Sequence, residues 1–303
     1  MILTVTLNPA LDLTYAVDAL VPHATHRVTA VTERPGGKGL NVAAVLHALG
    51  EPVLATGLLG GTTGGRVQDL LAADDIPTSF RRIAAETRRT VAVADGVDAT
   101  GFWEPGPAVT AGEWRDFVAH FRGLLSGASV AVLSGSLPPG VPSEGYATLI
   151  ALAADARVPA VLDTSGDPLR LGLAARPDVV KPNAAELAAL HGDAGLDERA
   201  GADRLLELGA RAVVLSRGER GLLAVTPGGS WEAVPPATVA GNPTGAGDAC
   251  VAALARGLAA RTPWDLLLAD AAALSAAAVA APAAGAFDAG AYRRWSNAEE
   301  TPC

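Results

Sequence analysis

The chain has 303 residues, the size of one large domain or two small ones. Half of them are hydrophobic and 18% are charged, which excludes a disordered chain; with only 4% aromatic, Ala, Val and Leu must build the core. The net charge of −9 comes without a block of like charge, so binding of nucleic acid through a basic face is excluded and any anionic ligand must find its positive charge locally.

Residues 2–8 alternate apolar residues with Thr and predict a strand. Residues 14–17 and 27–33 are short β-prone pieces that suit a thin sheet with one wet face. A helix is predicted over 38–49, closed by Gly50. A strand over 53–59 leads through Gly60-Gly61-Thr62-Thr63-Gly64-Gly65, read as a turn, to a helix over 64–73. Another alternating strand covers 88–94, and a helix covers 111–125. From there four short apolar runs each end in polar residues: 129–133 in Ser134-Gly135-Ser136, 160–162 in Asp163-Thr164-Ser165, 178–180 in Lys181-Pro182-Asn183, and 212–215 in Ser216-Arg217-Gly218. Apolar strands alternating with helices imply an α/β fold with a mainly parallel sheet covered on both faces. Ligands bind such sheets outside the carboxyl ends of the strands, so the polar tips should share one rim.

The longest apolar stretch, 266–287, carries Asp270, Ser275, Pro282 and Gly285 and is mostly Ala, so it predicts a buried helix rather than a membrane span. Two cysteines, Cys250 and Cys303, are too few for a disulfide framework, and the first residues do not read as a signal peptide. A soluble, cytoplasmic protein without a membrane partner is expected.

Residue usage sharpens the reading. There are 21 Arg but only two Lys, and only five Asn, a bias that a GC-rich genome would produce. Both lysines and four of the asparagines nevertheless fall in four short Gly- or Pro-bearing segments: Asn8-Pro9-Ala10-Leu11-Asp12, Gly36-Gly37-Lys38-Gly39-Leu40-Asn41, Lys181-Pro182-Asn183-Ala184-Ala185-Glu186 and Asn242-Pro243-Thr244-Gly245-Ala246-Gly247-Asp248. A lysine is a compact, flexible point charge and an asparagine offers both donor and acceptor, so residues kept against the bias point to chemistry.

Several motifs are excluded. Gly36-Gly37-Lys38-Gly39 does not fit a Walker A loop, and Asn8-Pro9-Ala10 stands where a dinucleotide fingerprint would need glycine. No nucleophile elbow exists, and the five His have no metal-ligand spacing. The segment ending in Asp248 is the strongest. Its small residues precede a helix predicted to run to about residue 260, so backbone N–H groups and the helix dipole can receive an anion. Asp248 there is either a worker beside the anion or a helix cap. Glu186, three residues after Asn183, is either a station for Mg²⁺ water or phosphate or an ordinary first-turn carboxylate.

Taken with Ser134-Gly135-Ser136-Leu137-Pro138-Pro139-Gly140, these segments resemble, in order and across essentially the whole chain, the ribokinase-like (PfkB) carbohydrate kinases, in the branch of 1-phosphofructokinases and tagatose-6-phosphate kinases. The resemblance implies one ribokinase-like α/β domain over 1–303: a three-layer body and a small β lid from about 10–36 and 87–105, through which many members dimerise. It implies a kinase that uses ATP and Mg²⁺ on a phosphorylated ketohexose, fructose 1-phosphate first, with tagatose 6-phosphate and fructose 6-phosphate as alternatives. Kinases of unphosphorylated sugars or nucleosides, or a non-catalytic nucleotide-binding regulator, are more remote. By the same resemblance Asp248 would be the catalytic base, with Gly245, Ala246 and Gly247 as its anion hole. Asp12, Arg27, Gly37, Lys38, Asn41, Arg88 and Ser136 would hold the phosphosugar. Lys181, Asn183, Glu186, Ser216 and Gly218 would serve the nucleotide, with Glu186 meeting Mg²⁺ through water. Two departures from the family pattern bear on the nucleotide side: Arg217 stands where Leu is usual, and Asn242-Pro243-Thr244 replaces Thr-Thr or Thr-Val.

Overall fold

The alternation of apolar strands with helices produces two sheets in a computed structural model that describes residues 1–192, 197–281 and 283–296. Pro282, Asn297 and Cys303 lie outside the described residues. The chain begins β1 (Ile2–Thr6), β2 (Ala10–Ala16), β3 (Ala30–Gly36), α1 (Lys38–Ala48), β4 (Val53–Gly60), α2 (Gly61–Ala73) and β5 (Arg81–Ile83). Next come β6 (Arg88–Ala94), β7 (Ala99–Trp103), α3 (Ala111–Leu124), β8 (Val130–Ser134), α4 (Gly145–Asp155), β9 (Ala160–Asp163), α5 (Gly166–Leu173) and β10 (Val179–Val180). The last part holds α6 (Ala184–His191), α7 (Glu198–Glu207), β11 (Val213–Ser216), β12 (Leu222–Thr226), β13 (Gly229–Ala233), α8 (Ala246–Ala260), α9 (Trp264–Val279) and α10 (Ala289–Ser296).

The large sheet has nine strands in the order β13-β12-β11-β10-β9-β8-β1-β4-β5. It is parallel from β5 to β11, and β12 and β13 add an antiparallel edge. Each central strand sends alternate side chains to opposite faces. Ile2 packs with Leu40, Leu46, Val251 and Leu268, under α1, α8 and α9. Leu3 and Val5 pack on the other side with Phe117, Tyr146, Leu149 and Leu205, under α3, α4 and α7. Three layers with two separate cores result, as the apolar runs require.

The small sheet has the order β3-β2-β6-β7, with β2 parallel to β6 and antiparallel to β3. The strands expected at 14–17 and 27–33 are therefore displaced. The real ones run over Ala10–Ala16 and Ala30–Gly36, because β2 must align residue for residue with β6, Ala10 beside Arg88 through Ala16 beside Ala94. Helix α2 starts at Gly61, inside the segment read as a turn. Glu86 explains it: its carboxylate accepts from the backbone N–H groups of Thr62 and Thr63 and from the Thr62 hydroxyl, which satisfies the first turn despite its glycines. The apolar stretch 266–287 gives α9 only as far as Val279. Among the described residues no helix is long and apolar enough to cross a membrane.

Few aromatics are available, and they are concentrated. Phe117 is fully buried and stacks between Trp114 and Phe121, at ring-centroid distances of 6.0 and 6.4 Å. Its neighbours are themselves held in the stack and against the sheet, so they cannot fill the space of a lost ring. Phe117→Ala should therefore cost about 3–5 kcal/mol, read as a lower midpoint in urea unfolding with activity per folded molecule unchanged.

Candidate active site

A cavity of about 1200 Å³ opens where the carboxyl ends of the central strands face the small sheet. Every residue assigned to the site from sequence lines it except Arg27. Arg27 lies in the exposed link between β2 and β3, three residues before the strand begins, and does not reach the cavity of its own chain.

The floor is organised by a residue the sequence reading passed over. Asp163, at the tip of β9 and 1% exposed, pairs with both lysines of the chain: Lys181 Nζ lies 3.3 Å from its Oδ1 and Lys38 Nζ 3.3 Å from its Oδ2. Lys38 also stands 3.9 Å from Glu186 Oε1, so its charge sits at the seam between the two ends of the cavity. Burial opposes the charge of Lys181 most strongly, but Asp163, together with Cys250, Glu186 and Asp248, holds its pKa above the ordinary lysine value.

Asp248 occupies the third position of α8, whose first residue follows Gly245. Gly245 has φ +93°, and a methyl group there would come within 2.8 Å of the Ala284 Cα, so only glycine allows this approach to the helix N-terminus. A methyl at Gly247 would stand 3.5 Å from Lys181 Nζ, which places that ammonium beside the first turn of α8. Asn41 Nδ2 donates to Asp248 Oδ2 at 2.8 Å. Burial raises the Asp248 pKa to about 6 with help from the negative Asp163, against the lowering pull of Asn41, Lys38 and Lys181. Asp248 is a first-turn acid of α8 and so favourable to the helix dipole, but it makes no side-chain capping hydrogen bond, the N-cap being Gly245. It is a buried carboxyl with a basicity suited to taking a proton near neutrality.

Beneath the small sheet, Asp12 pairs in register with Thr90 and Arg34. Its pKa is raised by burial, against the opposing effects of Thr90, Arg88 and Arg34. A methyl at Gly36 would overlap the Asp12 carboxylate, which explains a glycine there. Burial depresses the Arg88 pKa although Asp12 favours its charge, and its guanidinium donates to the Asn8 carbonyl. Asn8 Nδ2 donates to Ser136 Oγ at 3.0 Å. Tyr146 and Thr164 both donate to the Gly135 carbonyl and fix that turn.

At the other end, Asn183 and Glu186 form a reciprocal capping box on α6: Asn183 Oδ1 accepts from the Glu186 N–H at 2.8 Å, and Glu186 Oε2 accepts from the Asn183 N–H at 2.9 Å. The first-turn reading of Glu186 therefore holds, and its Oε1, toward Lys38, is left for the cavity. Among the described residues no group of three His, Cys, Asp or Glu could hold a metal by itself. A single cavity-facing carboxylate oxygen, shared with Lys38, fits Mg²⁺ held through water, since that ion keeps several waters and shares its shell with phosphates. Ser216 bridges to Asn183 along the backbone. Arg217 turns away, donating to Glu232 and to the Leu222 carbonyl, so its departure from the family pattern stays outside the cavity. Pro243 and Thr244 line the wall, with the Thr244 N–H held by Asn242 Oδ1 at 2.9 Å. Cys250, also in the wall, is kept protonated by burial, its pKa pushed up to about 11.

Sequence reasoning missed Asp163, Asn8 as a bridge, Thr90, Arg34 and the 234–241 wall. Asp163 left a usable signal: a carboxylate ending an apolar strand, in the same row of strand tips as Lys181.

The pfkB family carbohydrate kinase pattern matches residues 5–289. Phosphofructokinase-2 from Escherichia coli, in complex with potassium, superposes with a TM-score of 0.93 at 30% identity, covering 99% of each chain. A protein described as a possible 1-phosphofructokinase from Thermotoga maritima gives 0.85 at 27% identity, over 98% of this chain and 97% of its own. Ribokinase from Arabidopsis thaliana, complexed with ribose and ATP, shares the fold alone, at 20% identity and a TM-score of 0.77 over 97% and 98%. With this match across the length of the chain and the site built from the same segments, the protein belongs to the pfkB family of carbohydrate kinases and is a sugar kinase that uses ATP.

Proposed function

We propose that the protein transfers the γ-phosphoryl group of ATP to a hydroxyl of a phosphorylated ketohexose, with fructose 1-phosphate giving fructose 1,6-bisphosphate as the first assignment. The observation that carries the reading is charge at the sugar end: Arg88, half-buried against Asp12, is an expensive group that a neutral sugar would not need. A second reading, fructose 6-phosphate, is favoured by the likeness to phosphofructokinase-2, one of whose structures is a complex with fructose 6-phosphate, at 30% identity. Tagatose 6-phosphate differs from that sugar at one stereocentre and is the third candidate.

In this mechanism Asp12, Asn41, Gly37 and Ser136 orient the sugar and Arg88 meets its phosphate. Asp248 accepts the proton of the attacking hydroxyl as its oxygen meets the γ-phosphorus. The amides of Gly245, Ala246 and Gly247 take up charge on the transferred group, and Lys38 at the seam neutralises it from the opposite side. Lys181, Asn183, Ser216 and Gly218 hold the nucleotide. Mg²⁺, held by Glu186 through water, would supply further charge neutralisation at the phosphates. The small sheet acts as a lid that keeps water from the phosphoryl group. Its exposed Val31 and Phe102, with Val28 in the adjoining link, support a homodimer formed through the lid.

The substrate is tested by offering fructose 1-phosphate, fructose 6-phosphate and tagatose 6-phosphate with Mg-ATP to the purified protein. The highest kcat/KM is expected for fructose 1-phosphate; preference for either other sugar transfers the assignment to it. Asp248→Asn keeps size and polarity but cannot take the proton, so kcat should fall roughly 10²–10⁴-fold while calorimetry shows ATP still bound. A near-parental kcat would remove Asp248 from the chemistry.

The raised pKa of Asp248 gives a further test. In the free enzyme kcat/KM should fall as pH drops through about 6, where the carboxylate is protonated. Between about 4 and 6 the folded state binds more protons at this group than the unfolded chain, so Asp248 adds stability as pH falls and weakens the fold when ionised. Asp248→Asn should therefore be more stable than the parent at pH 7, and urea unfolding should show the gap narrowing toward pH 5.

A further inference from the structure

Arg34 belongs to none of the sequence motifs, yet it ties two distant parts of the chain together. It stands on β3 opposite Asp12, and its Nη2 donates to the carbonyl of Ala284 at 2.7 Å. Ala284 lies in the turn between α9 and α10. That turn touches the catalytic apparatus twice. On one side it packs on the anion hole, where a methyl group at Gly245 would fall 2.8 Å from Ala284 Cα and 3.3 Å from the Gly285 nitrogen. On the other side Gly285, at φ +76°, lies against α1: a methyl there would be 3.2 Å from Asn41 Oδ1, and Asn41 is the side chain that holds Asp248. One short turn thus contacts the small sheet, the anion hole and the partner of the base.

We propose that Arg34 is a positioning residue that, through the Ala284 carbonyl, couples the closed position of the small sheet to the geometry of the anion hole and of Asp248. The kinetic part rests on the sugar-kinase reading above. A kinase gains from such a link because an anion hole assembled only under a closed lid does not promote transfer to water. The contact is a charge-assisted hydrogen bond to a backbone oxygen, so its loss frees the turn without opening a hole in either core.

Arg34→Met keeps the length of the side chain and removes its donors; Arg34→Lys keeps a charged donor of similar reach. Hydrogen exchange, followed by mass spectrometry on the protein without sugar or ATP, should be faster in the Met variant over residues 243–250 and 283–288, and parental over α3. The Lys variant should recover most of the protection. In steady-state kinetics Arg34→Met should lower kcat about tenfold while KM for the sugar phosphate stays within about threefold, the pattern of a lost transition-state arrangement. Unchanged exchange over 243–250 in the Met variant would overturn the coupling, as would a raised KM at parental kcat, which would make Arg34 a substrate contact. Because exchange is read without substrates, it remains decisive if none of the three sugars is phosphorylated.

Discussion

The charge balance of the cavity rests on the Asp163 carboxylate. Two ammonium groups lie 3.3 Å from it, and one of them, Lys181, is almost completely buried. Removing one member of such a buried cluster leaves an uncompensated charge, an effect on the order of 3–5 kcal/mol. The same carboxylate acts at a distance on Asp248, where its negative charge adds to burial in keeping that group basic. One residue thereby fixes both lysine charges at the cavity and helps to keep Asp248 basic. Neither task could be met by a lysine–aspartate pair on an open surface, where solvent would screen both effects.

Much of this site was legible in the sequence because the chain is poor in the residues that do the work. With two lysines among 303 residues, their placement in Gly- and Pro-bearing segments is informative, and both prove to share a single carboxylate. Asp163 was harder to read for the converse reason: acidic residues are common here, so a carboxylate ending an apolar strand is a weaker signal than a scarce lysine. Arg34 was hidden because its partner is a backbone carbonyl, which any residue supplies. Glu186 shows a different limit, since the capping box and the cavity-facing oxygen belong to one side chain and the sequence pattern reports only the first.

The layered body followed from the four apolar runs and their polar tips, and its errors have local causes. The turn assigned to 60–65 became helix because Glu86, distant in sequence, satisfies the donors that the glycines leave open. The small strands shifted because pairing of β2 with β6 and of β3 with β2, not their own alternation, sets their register. The antiparallel edge was missed because β12 and β13 are joined by a tight connection that breaks the βα rhythm on which the reading relied.

Trp103 closes β7 and lines the cavity while remaining 71% exposed. The other four tryptophans are more enclosed: Trp114 is buried in the aromatic stack, Trp231 and Trp264 stack on one another at 6.0 Å, and Trp295 is partly buried on α10. Indole emission depends on solvent contact, so a sugar settling beneath the small sheet dries chiefly this one ring. Among the tryptophans of the described residues, the ring at the cavity mouth is thus the one whose emission is most open to change when that mouth is covered.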